Sequence, residues 1–441
     1  MAGHRKLGPA LATVVVAGNM IGSGVYLLPA TLAKVGSVTI FGWVLASAGA
    51  LALALLFARL AARKPLAGGP ATYAFDAFGP FVGMQASLWY WAACLIGNVA
   101  IAAAGAGSLT VFLGLAASPV TLAIITVGLL WLVTVANLVS PRFVGQVDGP
   151  LLLVGLVPVL LVATVGWFAF DPAQFTASWN VSGKSDLAAI PDTLILVFWA
   201  FTGLESASVA AAVVENPERN VPRATLAGVL IAALIYMAAS AAIMGLAPAA
   251  DLAASNAPFA LVAEQMFGVG AGRLVALAVT LKVLGTLAGW VLMTAQVSRA
   301  AADHGLLPQL FARTRAGDTP VAGLIVSGLM GTTMIVVTTA PSLGEQFGTL
   351  IDASTLFCLL TYLAACAATL RYRVAGERML ALVGGAFCVL YIAGSSTKVL
   401  IATAICMAMF ALFYLPRRKY LLPDPALRTT AHSKVRERHD D

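Results

Sequence analysis

Charge is what this chain has least of: 10% of its 441 residues are Asp, Glu, Lys or Arg, against roughly 25% in an ordinary soluble domain. Histidine occurs only at His4, His304, His432 and His439, none of them within an apolar run. The five cysteines (Cys94, Cys358, Cys366, Cys388, Cys406) all fall within apolar runs, which excludes a disulfide framework and the ligand spacing of a zinc site. No nucleophile with a base, carboxylate dyad or metal cluster stands at usable spacing, so the chain does not read as an enzyme and implies no cofactor. The connections between apolar runs, the longest near 170–187, 247–269 and 303–319, leave no room for a soluble catalytic domain. The first apolar run lacks a small-residue cleavage site and reads as a retained span rather than a signal peptide.

Long apolar runs fill the rest. With 60% hydrophobic residues, the expected solvent is lipid. Twelve runs are long enough to cross a bilayer, whose core takes about 20 helical residues: 8–35 (broken), 39–62, 81–113, 119–139, 146–169, 188–213 (broken), 222–246, 270–301, 320–340, 348–370, 379–396 and 398–416. The predicted fold is an all-α integral membrane protein of twelve transmembrane helices. Residues 1–416 form one transmembrane domain, followed by a basic tail at 417–441.

Basic residues orient these spans. With the N-terminus in the cytoplasm, Arg5, Lys6, Arg59, Arg63, Lys64, Arg142, Arg219, Arg223, Arg299, Arg313, Arg315, Arg371, Arg373, Arg378 and seven Lys/Arg of the tail lie inside, 21 of 26. Lys34, Lys184, Arg273 and Lys398 lie outside and Lys282 within a span. That asymmetry follows the positive-inside rule and puts both termini in the cytoplasm. The net charge of +7 is accounted for by contact with anionic lipid, with no call for nucleic acid.

Two runs are interrupted at their midpoints. The first carries Ile21-Gly22-Ser23-Gly24-Val25 and the sixth carries Trp199-Ala200-Phe201-Thr202-Gly203-Leu204-Glu205. Matched interruptions in two halves point to a transporter's binding site, built from two five-span units of inverted topology (1–170 and 188–370) with two extra spans at 379–416. An interruption frees carbonyls at the end of one half-helix, near Asn19 and Met20, and N–H groups at the start of the next, near Ser23 and Gly24. The N–H groups favour a carboxylate, and the carbonyls, with those of Trp199, Ala200 and Thr202, favour an ammonium. Together they make a receptor for an α-amino acid zwitterion. Close helix packing at small residues is the bland alternative for each glycine.

At this point the residues match a family. Ile21-Gly22-Ser23-Gly24-Val25-Tyr26, Trp199 to Ser208, Glu215 to Pro222 and Ala300 to Gly305 resemble the amino acid–polyamine–organocation (APC) permeases, in particular their bacterial arginine/agmatine antiporters. The likeness runs from about residue 7 to 415. It implies a LeuT-like fold with discontinuous helices 1 and 6, a place in the bacterial inner membrane, and a tendency to form homodimers. It further implies a substrate carboxylate at Ser23 and Gly24, an α-ammonium at the carbonyls of Met20, Trp199 and Thr202, and a guanidinium stacked on Trp290 and bonded near Ala93, Cys94, Asn98 and Ser354. Gating falls to Tyr90, Trp199, Glu205 and Tyr362.

The residues themselves speak to several of these roles. Tyr90, Cys94, Asn98 and Ile101 recur on one helical face. Asn98 in an apolar run faces either a cavity or a partner helix, and Trp290 offers a ring face to a cation or simply packs. Glu205 is either a titrating carboxylate below the substrate or a cap on free N–H groups.

Two charges depart from the resemblance. Lys282 and Asp352 lie within spans, where a charge costs about 2.5–3.5 kcal/mol, so each needs a partner and the two are expected to pair near the outer face. Asp352 is two residues, about 200°, from Ser354 and so turns away from a pocket that Ser354 faces. Lys282 is about 80° and about 12 Å outward from Trp290, within reach of an outer vestibule.

The expectation is a secondary amino acid antiporter that exchanges a cationic amino acid for its decarboxylated amine, of the arginine/agmatine type, by alternating access. A neutral amino acid permease or exchanger of the same fold is the alternative, and a non-transporting receptor or accessory subunit a third reading.

Overall fold

The computed structural model describes residues 8–63, 70–205, 214–303, 305, 307–315, 319–372 and 376–415. Among them the chain is helical throughout, with no strand beyond an isolated bridge between Arg315 and Thr319. In order come α1 (Pro9–Met20), a 3-10 turn (Ser23–Tyr26), α2 (Leu28–Leu32), α3 (Thr39–Arg63), α4 (Pro70–Phe78), α5 (Pro80–Leu113), α6 (Pro119–Val139) and α7 (Pro141–Thr164), which continues as a 3-10 segment to Ala169. There follow α8 (Pro172–Ala177), α9 (Asp186–Phe198), a second 3-10 turn (Trp199–Phe201), α10 (Pro217–Leu246), α11 (Ala249–Ala254), α12 (Pro258–Phe267) and α13 (Val269–Asp303). The chain ends with α14 (Val321–Val337), α15 (Leu343–Tyr372), α16 (Arg378–Gly394) and α17 (Thr397–Tyr414).

Proline sets many of the starts. Pro9, Pro70, Pro80, Pro119, Pro141, Pro172, Pro217 and Pro258 each stand at the first helical position, where the missing N–H would have had no intrahelical partner. Ser118 adds a side-chain cap to α6, accepting from the Thr121 N–H at 3.1 Å, and Gly114 closes α5 in the left-handed conformation at φ 67°.

Eight of these helices are long and apolar enough to cross a membrane, and Val321–Val337 and Arg378–Gly394 are shorter apolar helices. Large apolar side chains cover much of the outside: Phe168 is 92% exposed, and Leu187, Val139 and Val337 are nearly as open. An apolar exterior of this extent is a lipid-facing surface. Backbone amides within helices need no partner from the hydrocarbon.

α5 is the axis of the bundle, with 24 of its residues buried, from Gly83 to Thr110. α13 and α15 pack along it rather than on each other, and α6 closes a further side. The first span is interrupted at Ile21–Gly22 between α1 and the 3-10 turn, and another interruption follows α9 at Trp199–Phe201. Both face α5 at the centre of the bundle.

Small residues permit these close approaches. A Cβ on Gly155 of α7 would sit 2.1 Å from Cβ of Lys282 on α13, so only glycine lets the lysine stem lie flat against α7. Gly155→Leu is expected to overpack this contact at a cost of about 1–3 kcal/mol, seen as a lowered melting temperature in detergent. Gly128→Ala, on a surface with no atom within 4 Å of the new Cβ, should leave the melting temperature unchanged.

Candidate functional site

A narrow cavity lies between the two interruptions and α5. Met20, Gly22 and Val25 line it from the first interruption, and Trp199, Ala200, Thr202 and Glu205 from the second. Tyr90, Ala93, Cys94, Gly97 and Ile101 form the α5 wall, one helical stripe. Tyr236 of α10, Thr286 and Trp290 of α13, and Ser354 and Cys358 of α15 complete it.

Glu205 is 3% exposed, and both of its oxygens are held. The Tyr90 hydroxyl donates to Oε1 at 2.6 Å, and the Tyr362 hydroxyl, whose ring packs edge-on against Phe57 at 4.9 Å, donates to Oε2. Hydrogen bonds to a charged acceptor are worth about 1.5–3 kcal/mol each. The clamp keeps a carboxylate at one end of the cavity.

The freed carbonyls are answered from inside the protein. The Tyr236 hydroxyl donates to the Met20 carbonyl and lies 3.2 Å from the Ala200 carbonyl, so one phenol spans both interruptions. Its ring is held by Trp43 at 5.4 Å and Phe201 at 5.8 Å. Met20 also accepts from the Gly22 N–H. Trp199 accepts from the Thr202 N–H at 3.1 Å and the Thr202 hydroxyl at 2.7 Å. With two lone pairs per carbonyl, neither Met20 nor Trp199 is open to an ammonium in this conformation. A ligand has to displace a donor, and the Thr202 hydroxyl is the one free to rotate.

Most of the residues named from sequence come together here. Met20, Ala93, Cys94, Trp199, Thr202, Trp290, Ser354, Tyr90 and Glu205 line the cavity, and Tyr362 stands behind Glu205. Ser23 and Gly24 open the 3-10 turn between Gly22 and Val25. Ser354 donates to the Ala93 carbonyl across the α5–α15 contact at 2.7 Å. Ser206 to Ser208, His304 and both chain ends lie outside the described residues.

Two expectations are corrected. Asn98 does not face this cavity: its amide donates to the Thr294 hydroxyl at 2.8 Å, and it lines a separate narrow void with Leu95, Val99 and Val291. Thr294 in turn donates to the Trp290 carbonyl at 2.8 Å, so Asn98 is an interhelical tie beside Trp290. Lys282 and Asp352 do not pair. The Lys282 ammonium donates to Thr286 on its own helix at 2.8 Å, whereas Asp352 faces Ser396 at the α16–α17 junction at 3.4 Å. Their helices meet α5 on different sides.

Sequence reasoning missed Tyr236 and Thr286. The first carries a polar tip in an otherwise apolar stretch, the kind of group that requires a buried partner, and that signal was available. The second stands one helical turn after Lys282, a spacing at which side chains meet.

The amino acid permease family model matches residues 7–420. The chain is 34% identical over 424 residues to the cadaverine/lysine antiporter of Escherichia coli (strain K12), covering 94% of this chain and 95% of that protein. It is 37% identical over 363 residues to the putrescine transporter PotE of the same organism, covering 82% and 83%. The PotE of Haemophilus influenzae is 35% identical over 363 residues, again covering 82% and 83%. A model matched over nearly the whole length, with relatives at this identity, fixes the assignment: the chain belongs to the amino acid permease family, within the APC superfamily of membrane transporters.

Proposed function

We propose that the protein is an antiporter of the bacterial inner membrane that exchanges a cationic amino acid for its decarboxylated amine by alternating access. The observation that carries this reading is the Glu205 carboxylate, clamped by Tyr90 and Tyr362 in a cavity that also presents Trp199 and Trp290. An aromatic face and a buried carboxylate together suit an ammonium or guanidinium. The names of the relatives support the class: one exchanges lysine and cadaverine, another carries putrescine.

Arginine with agmatine and lysine with cadaverine both belong to this class. The place of Asn98 favours the second pair, because an amide bonded to Thr294 outside the cavity supplies nothing to a guanidinium fork. The same reading has twelve spans in a five-plus-five inverted repeat with residues 379–416 added, and both termini in the cytoplasm. The eight long apolar helices, two shorter ones and two interrupted stretches support that count. A homodimer is carried over with the family resemblance.

Proteoliposomes loaded with lysine or arginine and presented with labelled amines test the proposal. Exchange of lysine with cadaverine, or of arginine with agmatine, is the expected result; flux of alanine or serine alone would establish the neutral alternative instead. Trp290→Leu should weaken a cationic substrate by about 2- to 30-fold, the range of one cation–π contact, and a neutral one far less. Glu205→Gln, which keeps the shape and drops the charge, should weaken the amine by about tenfold in the same assay. Tyr236→Phe keeps the ring packing but strips one donor from two buried carbonyls, at a cost of about 1–3 kcal/mol. It should lower the melting temperature by a few degrees and slow exchange of every substrate alike.

A further inference from the structure

We propose that the furrow between α7, α12 and α13 is a binding site for one acyl chain of a membrane phospholipid, seated behind the first interruption.

The furrow holds about 580 Å³ and shares no lining residue with the central cavity. Every residue that lines it is apolar. Its floor is buried, with Val162 of α7 and Phe259 and Val262 of α12, while Val157, Phe267 and Leu274 on its rims are exposed on the lipid-facing outside. Water does not suit such a space, because a held water needs about two to four polar partners. Left empty, the lining would forfeit its dispersion contacts. An apolar occupant is required, and the furrow is continuous with the surface that already faces hydrocarbon.

Its length selects a lipid chain. Along α13 the lining runs from Ala271 to Leu281, about 15 Å at 1.5 Å per residue. That is half of the hydrocarbon core of about 30 Å, the depth that one leaflet fills. One end opens at the start of α13, where Gly272 meets Glu264 and the exposed Arg273 follows, so polar groups begin where a headgroup would sit. The other end closes beside the contact of Gly155 with Lys282, next to the lining residues Val154 and Leu281. A spanning helix of a neighbouring protein runs through the whole core, so a furrow that stops halfway does not fit one.

The occupant reaches the transport machinery through one ring. Phe259 on the floor packs edge-on against Tyr26 at 5.6 Å, and Tyr26 belongs to the 3-10 turn of the first interruption, its hydroxyl donating to the Gly155 carbonyl. A chain in the furrow therefore backs Phe259 and, through it, the first interruption.

Full-length protein reconstituted with a phosphatidylethanolamine that carries a diazirine on one acyl chain tests this, with the adducts formed on illumination mapped by peptide mass spectrometry. Adducts on α12 and the first turns of α13 should exceed several-fold those on the open face of α6 at Val120, Ile124 and Leu132, which any surrounding lipid touches. Ala278→Trp, which puts an indole into the furrow, should cut furrow labelling several-fold and leave that of α6 unchanged. Ala263→Leu should do so in part, and decides alone if Ala278→Trp does not fold. Added phospholipid should also raise the melting temperature of the detergent-purified wild type more than that of either variant. Equal labelling of the furrow and of α6 would overturn the proposal, as would furrow labelling untouched by both variants. Protection of the furrow from the probe in a cross-linked dimer would assign it to a second copy and overturn the proposal likewise.

Discussion

Hydrocarbon offers no hydrogen bonds, so every backbone group released by an interrupted span has to be answered from within the protein. The rest of this structure depends on how that is done. A single phenol, Tyr236, lies between the Met20 and Ala200 carbonyls and so links the two interruptions directly. It is placed by packing rather than by sequence neighbours: Trp43 from α3 and Phe201 from the second interruption grip its ring. Gly203, at φ 95°, then turns the backbone in a way that an L side chain resists. Unwinding at the centre of the bundle is therefore a specified conformation, held by buried aromatic contacts.

The same low dielectric governs the charges. Glu205 and Lys282 each meet hydroxyl groups inside the bundle. Tyr90 and Tyr362 serve the first and Thr286 the second. Neutral hydroxyls stabilise a charge without cancelling it. Asp352 stands outside this arrangement, turned toward Ser396 at the α16–α17 junction, in keeping with its position about 200° from Ser354.

How much of this was legible in the sequence divides along physical lines. The spans were, because twenty apolar residues in a row have few alternatives: 119–139 and 39–62 match α6 and the apolar part of α3 to the residue. The interruptions were legible as well, since glycine and threonine in mid-span break the pattern locally. Periodicity put Tyr90 and Cys94 on the cavity wall, and Asn98 on the same stripe, but a stripe spans more than one neighbour and Asn98 found Thr294 instead. Helical angle alone could not say that α5 stands between the helices of Lys282 and Asp352. The polar tip of Tyr236 in an apolar stretch signalled a buried partner, but not which one, since its partners lie 36 and 216 residues away in sequence.

A ligand shifts a conformational equilibrium only to the extent that it binds two states differently, and the proposed exchange cycle has to find that difference in the cavity wall. On the reading proposed above, the carbonyls of Met20 and Trp199 would supply it. Both are satisfied internally here, by Tyr236, Gly22 and Thr202, so an unoccupied site leaves them at no desolvation penalty. An incoming ammonium gains a place only by turning a donor such as the Thr202 hydroxyl away from Trp199. Thr202 lies three residues before Glu205 on the same unwound segment, and Glu205 is tied to α5 through Tyr90 and to α15 through Tyr362. Substrate binding at the carbonyls, as proposed, would thereby be connected along a short stretch of backbone to the contacts that Glu205 makes with two spanning helices.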